Sequence, residues 1–168
     1  MTTRKVFFVS FSFSFLIDPS LMLLAQMVYW HSSAHMLGEA CERCFGVHLE
    51  HGPPTEDGFF YDMRLPADFK GTVNEELYPA LVSTANKIAG EKQNFERLSM
   101  TKEELLEMFK YNNLKTYFIN SKIADGASST VYRCGPLIDL CMGPHITNTS
   151  RVKAFTIYKV CLLNMVHF

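Results

Sequence analysis

The sequence predicts a single α+β domain built from an antiparallel sheet and segregated helices, on three observations. Apolar residues recur at spacings of three and four over 21–45 and again over 75–92, the signature of helices with one buried face. Short alternating runs bounded by Gly and Pro follow or separate them, the signature of strands and turns. No internal repeat, low-complexity tract or linker divides the chain of 168 residues, of which 48% are hydrophobic and 13% aromatic. That length and composition support one packed core rather than disorder.

Each element has its own signal. In 21–45, Met27, Trp30, Ala34, Leu37, Cys41 and Phe45 form one helical stripe, and Gly46 is suited to stop the helix. Residues 47–65 alternate loosely around Gly52-Pro53-Pro54 and Glu56-Asp57-Gly58, which predicts a hairpin whose second strand is Phe59–Met63. A loop over 66–74 leads to a helix over 75–92, with Leu77, Leu81, Thr84, Ala85 and Ile88 on one face. Ser99 or Thr101, each followed by acidic residues, offers a capping start for a third helix carrying Leu105, Met108 and Phe109. The remainder reads as strands: Leu114–Ile119, Thr130–Cys134, Leu137–Cys141 and the alternating stretch Val152–Tyr158.

Bulk properties narrow the function classes. A net charge of −1 exerts no strong pull on nucleic acid, so a polynucleotide partner needs a local basic patch; Lys115, Arg133, Arg151 and Lys153 are the candidates. Cysteines 41, 44, 134, 141 and 161 are odd in number and irregular in spacing, which argues against a disulfide framework and for a reducing cytoplasmic compartment. Arg4-Lys5 before the apolar run to Ile17 resembles the start of a secretory signal. The run is too short to span a bilayer and Asp18-Pro19 interrupts it, so no membrane association is expected.

The chemistry-bearing residues lie in two distant runs, His31-Ser-Ser-Ala-His35 and Cys141-Met-Gly-Pro-His145. On a helix, His31 and His35 share a face one turn apart. Gly143-Pro144 suits a turn, not a helix, between Cys141 and His145. Three imidazoles and a thiol suffice for a tetrahedral Zn²⁺ site and equally for positioning and deprotonating water. Each run alone is weak: metalloprotease helices carry a Glu where Ser32 stands, and buried Cys commonly acts as a small hydrophobe. Cys41-x-x-Cys44 lies on a helical pattern without a matching second pair, so Cys41 reads as core rather than as a zinc knuckle. Asp139 and Cys141, two apart on a strand, point to one face. Tyr61 and Lys115 complete the candidates, the first for a hydroxyl able to reach a pocket, the second for a cation able to sit near a reacting ester.

Three ordered motifs carry a family resemblance: His31-Ser-Ser-Ala-His-Met-Leu-Gly-Glu-Ala40, then Gly52-Pro-Pro54 with Asp57-Gly-Phe-Phe-Tyr-Asp62, then Val131 through His145. Together they resemble the N-terminal editing domain of threonyl-tRNA synthetases, shared with alanyl-tRNA synthetases and their free-standing relatives. The likeness is nearest to the eukaryotic cytoplasmic threonine enzyme. The resemblance implies an α+β domain around an open editing cleft over residues 25–159, flanked by an atypical segment 1–24 and a divergent tail 160–168. It also implies hydrolysis of Ser-tRNA(Thr), with His31, His35, Lys115, Asp139, Cys141 and His145 as catalytic candidates and Tyr61 as a substrate contact. No cofactor is required on this reading; zinc on His31, His35, Cys141 and His145 is compatible with it.

The task has a physical rationale. Serine lacks one methyl of threonine, and a pocket rejects a smaller side chain by only about 1–3 kcal/mol, so a second, hydrolytic site is needed. The implied partner is the acceptor end of tRNA(Thr) carrying serine, with the full-length synthetase as a second partner. The class II aminoacylation core, the anticodon-binding domain and the small domain that usually precedes the editing domain are not found in the sequence. The expectation is therefore a truncated chain that does not ligate threonine. The alternative is a non-catalytic fragment that keeps the fold and binds tRNA, zinc or the full enzyme.

Overall fold

Helix α1, Pro19–Phe45, runs through the centre of the molecule. The computed structural model describes residues 3–8, 19–55, 58–70, 74–157 and 159–164. Trp30, Ala34, Leu37 and Cys41 form the expected stripe and are buried. The stripe does not extend to the start of the helix, where Leu21, Leu23, Leu24 and Met27 are exposed. From Ser32 to Cys41 every residue is buried, so the helix is covered all round where it carries His35. Gly46, at a φ of +61°, ends the helix in the left-handed conformation that glycine adopts without penalty; its N–H donates to the Glu42 carbonyl at 2.9 Å.

Among the described residues three sheets form, and each has a strand in contact with α1. The expected hairpin of 47–65 forms, but its second strand breaks. Strands β2 (His48–His51) and β5 (Asp62–Arg64) pair antiparallel, and between them β3 (Pro54–Thr55) and β4 (Gly58–Phe59) form a small hairpin. Strands β1 (Thr3–Phe8) and β9 (Lys159–Asn164) extend the first pair to a sheet of order β2-β5-β1-β9. The apolar run beyond Phe8 lies outside the described residues. The third sheet has order β6-β7-β8, from Phe95–Thr101, Ser128–Cys134 and Leu137–Leu140, with Tyr132 opposite Asp139.

Helix α2, Tyr78–Glu91, buries Leu81, Ala85 and Ile88 against α1 in the larger core, which also holds Met36, Leu37, Phe59, Tyr61 and Met63. Helix α3, Lys102–Met108, begins at Thr101 with the reciprocal capping box that the sequence offered: Thr101 Oγ1 accepts from the Glu104 N–H and Glu104 accepts from the Thr101 N–H. A smaller core gathers Leu105, Phe109, Ile119 and Val131.

Two expected strands are corrected. Leu114–Ile119 is not a strand but part of helix α4, Asn113–Lys122. The Asn112 carboxamide accepts from the N–H groups of Leu114 and Lys115 and so nucleates a turn that the β-prone Thr-Tyr-Phe-Ile run does not suggest. Lys115 and Ile119, one turn apart, are its buried face. Residues 152–157 form no strand either; Val152, Phe155 and Ile157 are buried without a ladder partner. Strand β6 carries no alternation signal, because its residues are exposed or half-exposed throughout. Among the described residues, no helix is long and apolar enough to cross a membrane.

Candidate functional site

The two His-containing runs converge. Helix α1 supplies His31 and His35, and the turn after β8 supplies Cys141 and His145. One donor atom from each of the four lies within 4.8 Å of the other three. Cys141 Sγ sits 3.1 Å from His31 Nε2 and 3.3 Å from His145 Nε2. The sheet register puts Cys141 there: its N–H donates to the Thr130 carbonyl at 3.0 Å, and Thr130 Oγ1 donates to its carbonyl at 2.6 Å. The chain then turns at Gly143, at a φ of +73°, whose N–H donates to the Cys141 sulfur at 3.2 Å. A Cβ at Gly143 would lie 2.5 Å from the Tyr132 hydroxyl, so this turn needs glycine.

His145 is held on three sides. Its ring stacks on Phe95 with centroids 4.6 Å apart and planes at 9°, and meets Tyr132 edge-on at 4.6 Å. Its Nδ1 lies 3.1 Å from Ser32 Oγ. Ser32 occupies the position next to the first His and is fully buried.

Asp139 anchors the other half of the site. One carboxylate oxygen accepts from the Lys115 ammonium and the other from the Tyr61 hydroxyl, and His35 Nε2 lies 3.8 Å away. Lys115 also donates to the Glu50 carbonyl at 3.2 Å. The Asn112 carboxamide that starts α4 donates to the Leu49 carbonyl at 2.7 Å, which pins Lys115 beside β2. Tyr61 is wholly buried beneath Gly38 and Gly52. A Cβ on Gly38 would come within 2.8 Å of its ring, and one on Gly52 would overlap it. Tyr61 thus reaches Asp139 from below the cleft and does not line it.

Burial sets the protonation states. Desolvation lowers His31 below the usual imidazole range, takes His35 down to about 4 and His145 down to about 2. All three imidazoles are therefore neutral near pH 7. The same desolvation pushes the Cys141 thiol up to about 12, so it stays protonated in the metal-free protein. Burial would raise Asp139 as well, but Lys115, His35 and Tyr61 together outweigh it and hold its carboxyl below the usual range. Cys41 lies in the core, and Cys44 makes a 3.3 Å contact with the Thr84 hydroxyl; neither joins the site.

A cavity of about 700 Å³ opens over these groups. His31, His35, Lys115, Asp139 and Cys141 lie on its wall, with His51 from β2 and Phe118 and Lys122 from α4. Of the four basic residues considered for a patch, only Lys115 is among them; Arg133 instead pairs with Glu96 on the sheet surface at 2.7 Å. The sequence pointed to seven site residues. It missed Ser32, Asn112 and His51, which touch the site through contacts between distant segments; of these, Asn112, two residues before Leu114, is legible as a helix cap.

Residues 129–160 match the family described as threonyl and alanyl tRNA synthetase second additional domain, and the chain belongs to that family. Its likeness is to the threonine enzymes. It is 51% identical over 139 residues to the cytoplasmic threonine–tRNA ligase of Saccharomyces cerevisiae, covering 79% of this chain and 19% of that protein. It is 53% identical over 135 residues to cytoplasmic threonine–tRNA ligase 1 of Homo sapiens, covering 80% and 18%. Against cytoplasmic threonine–tRNA ligase 2 of Homo sapiens it is 52% identical over 148 residues, covering 84% and 18%. The chain thus spans about a fifth of the length of these relatives.

Proposed function

We propose that this cleft hydrolyses the ester of serine mischarged onto tRNA(Thr), and that it does so in the cytoplasm, the compartment named for the relatives. The single observation that carries the reading is the convergence of three neutral imidazoles, two of which, His31 and His35, share one open cavity with a buried Lys–Asp pair. Water adds to the ester carbonyl carbon, the carbon–oxygen bond to the ribose breaks, the proton taken from the water passes to the departing ribose oxygen, and free serine leaves. His31, neutral and on the cavity wall, takes the water's proton; such a base contributes about 10²–10⁴-fold. The Lys115 ammonium has three hydrogens, of which Asp139 and the Glu50 carbonyl take two. The third has no hydrogen-bond partner among the described residues and can meet negative charge developing on the ester oxygen. Cys141, protonated in the metal-free protein, is not poised as a nucleophile.

The donor set also fits Zn²⁺, since four nitrogen and sulfur atoms lie close together and His35 Nδ1 is buried without a partner. Ligation by His31, His35, Cys141 and His145 at once fills a tetrahedral ion, so it would brace α1 against the turn rather than activate water. We therefore assign the hydrolysis to the side chains, with zinc compatible but not required.

Lys115, Phe118 and Lys122 fall on one face of α4 at spacings of three and four, leading from the buried cation to the cavity mouth. With about 1.5 Å of rise per residue, they suit the ester, the base and a phosphate of one terminal nucleotide. The proposed partner is thus the acceptor end of seryl-tRNA(Thr), with the full-length synthetase as a second. We take 25–159 as the editing unit between 1–24 and 160–168, and assign it hydrolysis, not ligation. The test is single-turnover deacylation of Ser-tRNA(Thr) and Thr-tRNA(Thr) by the whole chain. Seryl ester should be lost and threonyl ester spared; a folded protein that spares both refutes the proposal.

A further inference from the structure

We infer that Ser32 is a positioning residue, whose hydroxyl fixes His145 as the Nδ1–H tautomer and turns its Nε2 lone pair toward Cys141 and His31. The argument is a count of hydrogens. Ser32 Oγ lies 2.7 Å from the Val28 carbonyl oxygen. Two oxygens at that distance repel unless a hydrogen lies between them, and the carbonyl has none, so the serine donates its only proton there. Its two lone pairs remain. One accepts the Ile146 N–H at 3.0 Å. The other faces His145 Nδ1 at 3.1 Å, and a lone pair can be met there only by an N–H. Nδ1 therefore carries hydrogen, and in the neutral ring Nε2 does not.

Without this contact the ring would have a choice. Stacking on Phe95 and the edge contact to Tyr132 set its plane but do not tell Nδ1 from Nε2. Ser32 breaks the tie and, through Ile146, holds the backbone just after His145. Ser33 shows what the bond to Val28 is worth alone: its hydroxyl makes the same i−4 bond to Tyr29 at 2.9 Å, an ordinary helix contact. Ser32 uses that bond to orient its lone pairs across 113 residues of sequence. The consequence for chemistry rests on the proposed hydrolytic reading: His145 offers an acceptor to water, to substrate or to a metal, and never an Nε2 donor. A histidine ligand held in this way typically loses 10–100-fold in metal affinity when its partner is removed.

The experiment reads the tautomer directly. Two-bond ¹⁵N–¹H correlation spectra of the whole metal-free chain at pH 7.5 should show a neutral imidazole protonated at Nδ1 whose signal is absent in His145→Asn. Ser32→Ala, a helix-compatible change, should turn that signal into a mixture or into the Nε2–H form; Ser32→Thr, which keeps a hydroxyl, should restore it. Titration with Co²⁺ should show affinity down about 10–100-fold in Ser32→Ala and regained in Ser32→Thr. A wild-type His145 protonated at Nε2, or an unchanged pattern in Ser32→Ala, overturns the inference. An inactive wild-type chain with His145 in the Nδ1–H form would instead overturn the hydrolytic proposal and leave the role of Ser32 standing.

Discussion

Among the described residues two carboxylates are buried, and they differ in everything but their burial. Asp139 and Glu39 are 4% and 0% exposed. Asp139 has a donor on each oxygen, from Lys115 and Tyr61, both themselves buried. Glu39 has Arg43 at 2.7 Å and Gln93 at 2.8 Å on a single oxygen, while its other oxygen has no hydrogen-bond partner. Arg43 is shared with Glu91 on the surface. Desolvation pushes Glu39 up despite these partners, whereas the partners of Asp139 overcome desolvation and pull it down. A buried acid is thus not by itself a site. Asp139 meets a buried cation and opens on a cavity; Glu39 ties α1 to Gln93, which in turn accepts from Cys134, and serves packing.

The comparison breaks first at the ion pair. Asp139→Leu alone leaves Lys115 buried and unpaired, and should cost about 3–5 kcal/mol of stability along with all hydrolysis. Adding Lys115→Met removes the stranded charge and should recover most of the stability without recovering the reaction. Urea unfolding and seryl-tRNA hydrolysis on the same preparations check both halves. A double variant that still hydrolyses would take Lys115 out of the chemistry.

His31 is partly exposed at the cavity wall, so His31→Ala should lower hydrolysis about 10²–10⁴-fold while moving the unfolding midpoint little. Parallel loss of both would make His31 structural.

Acid should unfold the metal-free protein, with a sign set by the same burial. His35 takes its proton near 6.5 when unfolded and near about 4 when folded; His145 is lowered further, to about 2. Between those values the unfolded chain binds more protons, so stability rises with pH and is lost on acidification. His31 and His51 are lowered as well. Glu42, raised to about 7 by burial, and Glu39, also raised, act in the opposite direction. The imidazoles outnumber them, and each unbalanced proton is worth about 1.4 kcal/mol per pH unit. Melting temperature should therefore fall from pH 6.5 to 4.5, and Glu42→Gln should steepen the fall. A flat profile would mean that the imidazoles are not buried in solution.

At the mouth of the cleft, Phe118→Ala should raise KM for seryl-tRNA with kcat unchanged, because stacking of one base on an aromatic ring is worth about 1–3 kcal/mol. An unchanged KM would remove α4 from the path of the acceptor end.

How much of this was legible follows from which contacts are local. Helix α1 and the shared face of Asp139 and Cys141 are set by periodicity, and periodicity is visible in sequence. The capping box at Thr101 is local and was visible too. Helix α4 reads as a strand in sequence because Thr116, Tyr117, Phe118 and Ile119 favour strands, while the Asn112 cap and the burial of Lys115 and Ile119 favour a helix; tertiary packing wins. Strand β6 was invisible because its exposed residues show no alternation. The motif resemblance brought the four cluster residues together on paper. It gave no hint that Tyr61 acts from beneath the cleft or that Ser32 braces His145, since those contacts join segments far apart in sequence.

The finest comparison makes the same isosteric change at both acids. Asp139→Asn removes the charge that Lys115 and Tyr61 address, and forces an NH₂ group to face one of two donors. Hydrolysis should collapse and stability should fall. Glu39→Gln keeps an oxygen for Arg43 and Gln93 and places its NH₂ where the carboxylate oxygen already lacked a partner. Because burial already biases Glu39 toward its neutral form, the loss of charge costs little, and about 1 kcal/mol is expected for the weakened hydrogen bonds. Hydrolysis should keep its wild-type rate, since Glu39 is not among the residues lining the cavity. A Glu39→Gln chain that folds normally but hydrolyses slowly would show that the two acids are coupled through α1, and that the boundary drawn here between site and packing is in the wrong place.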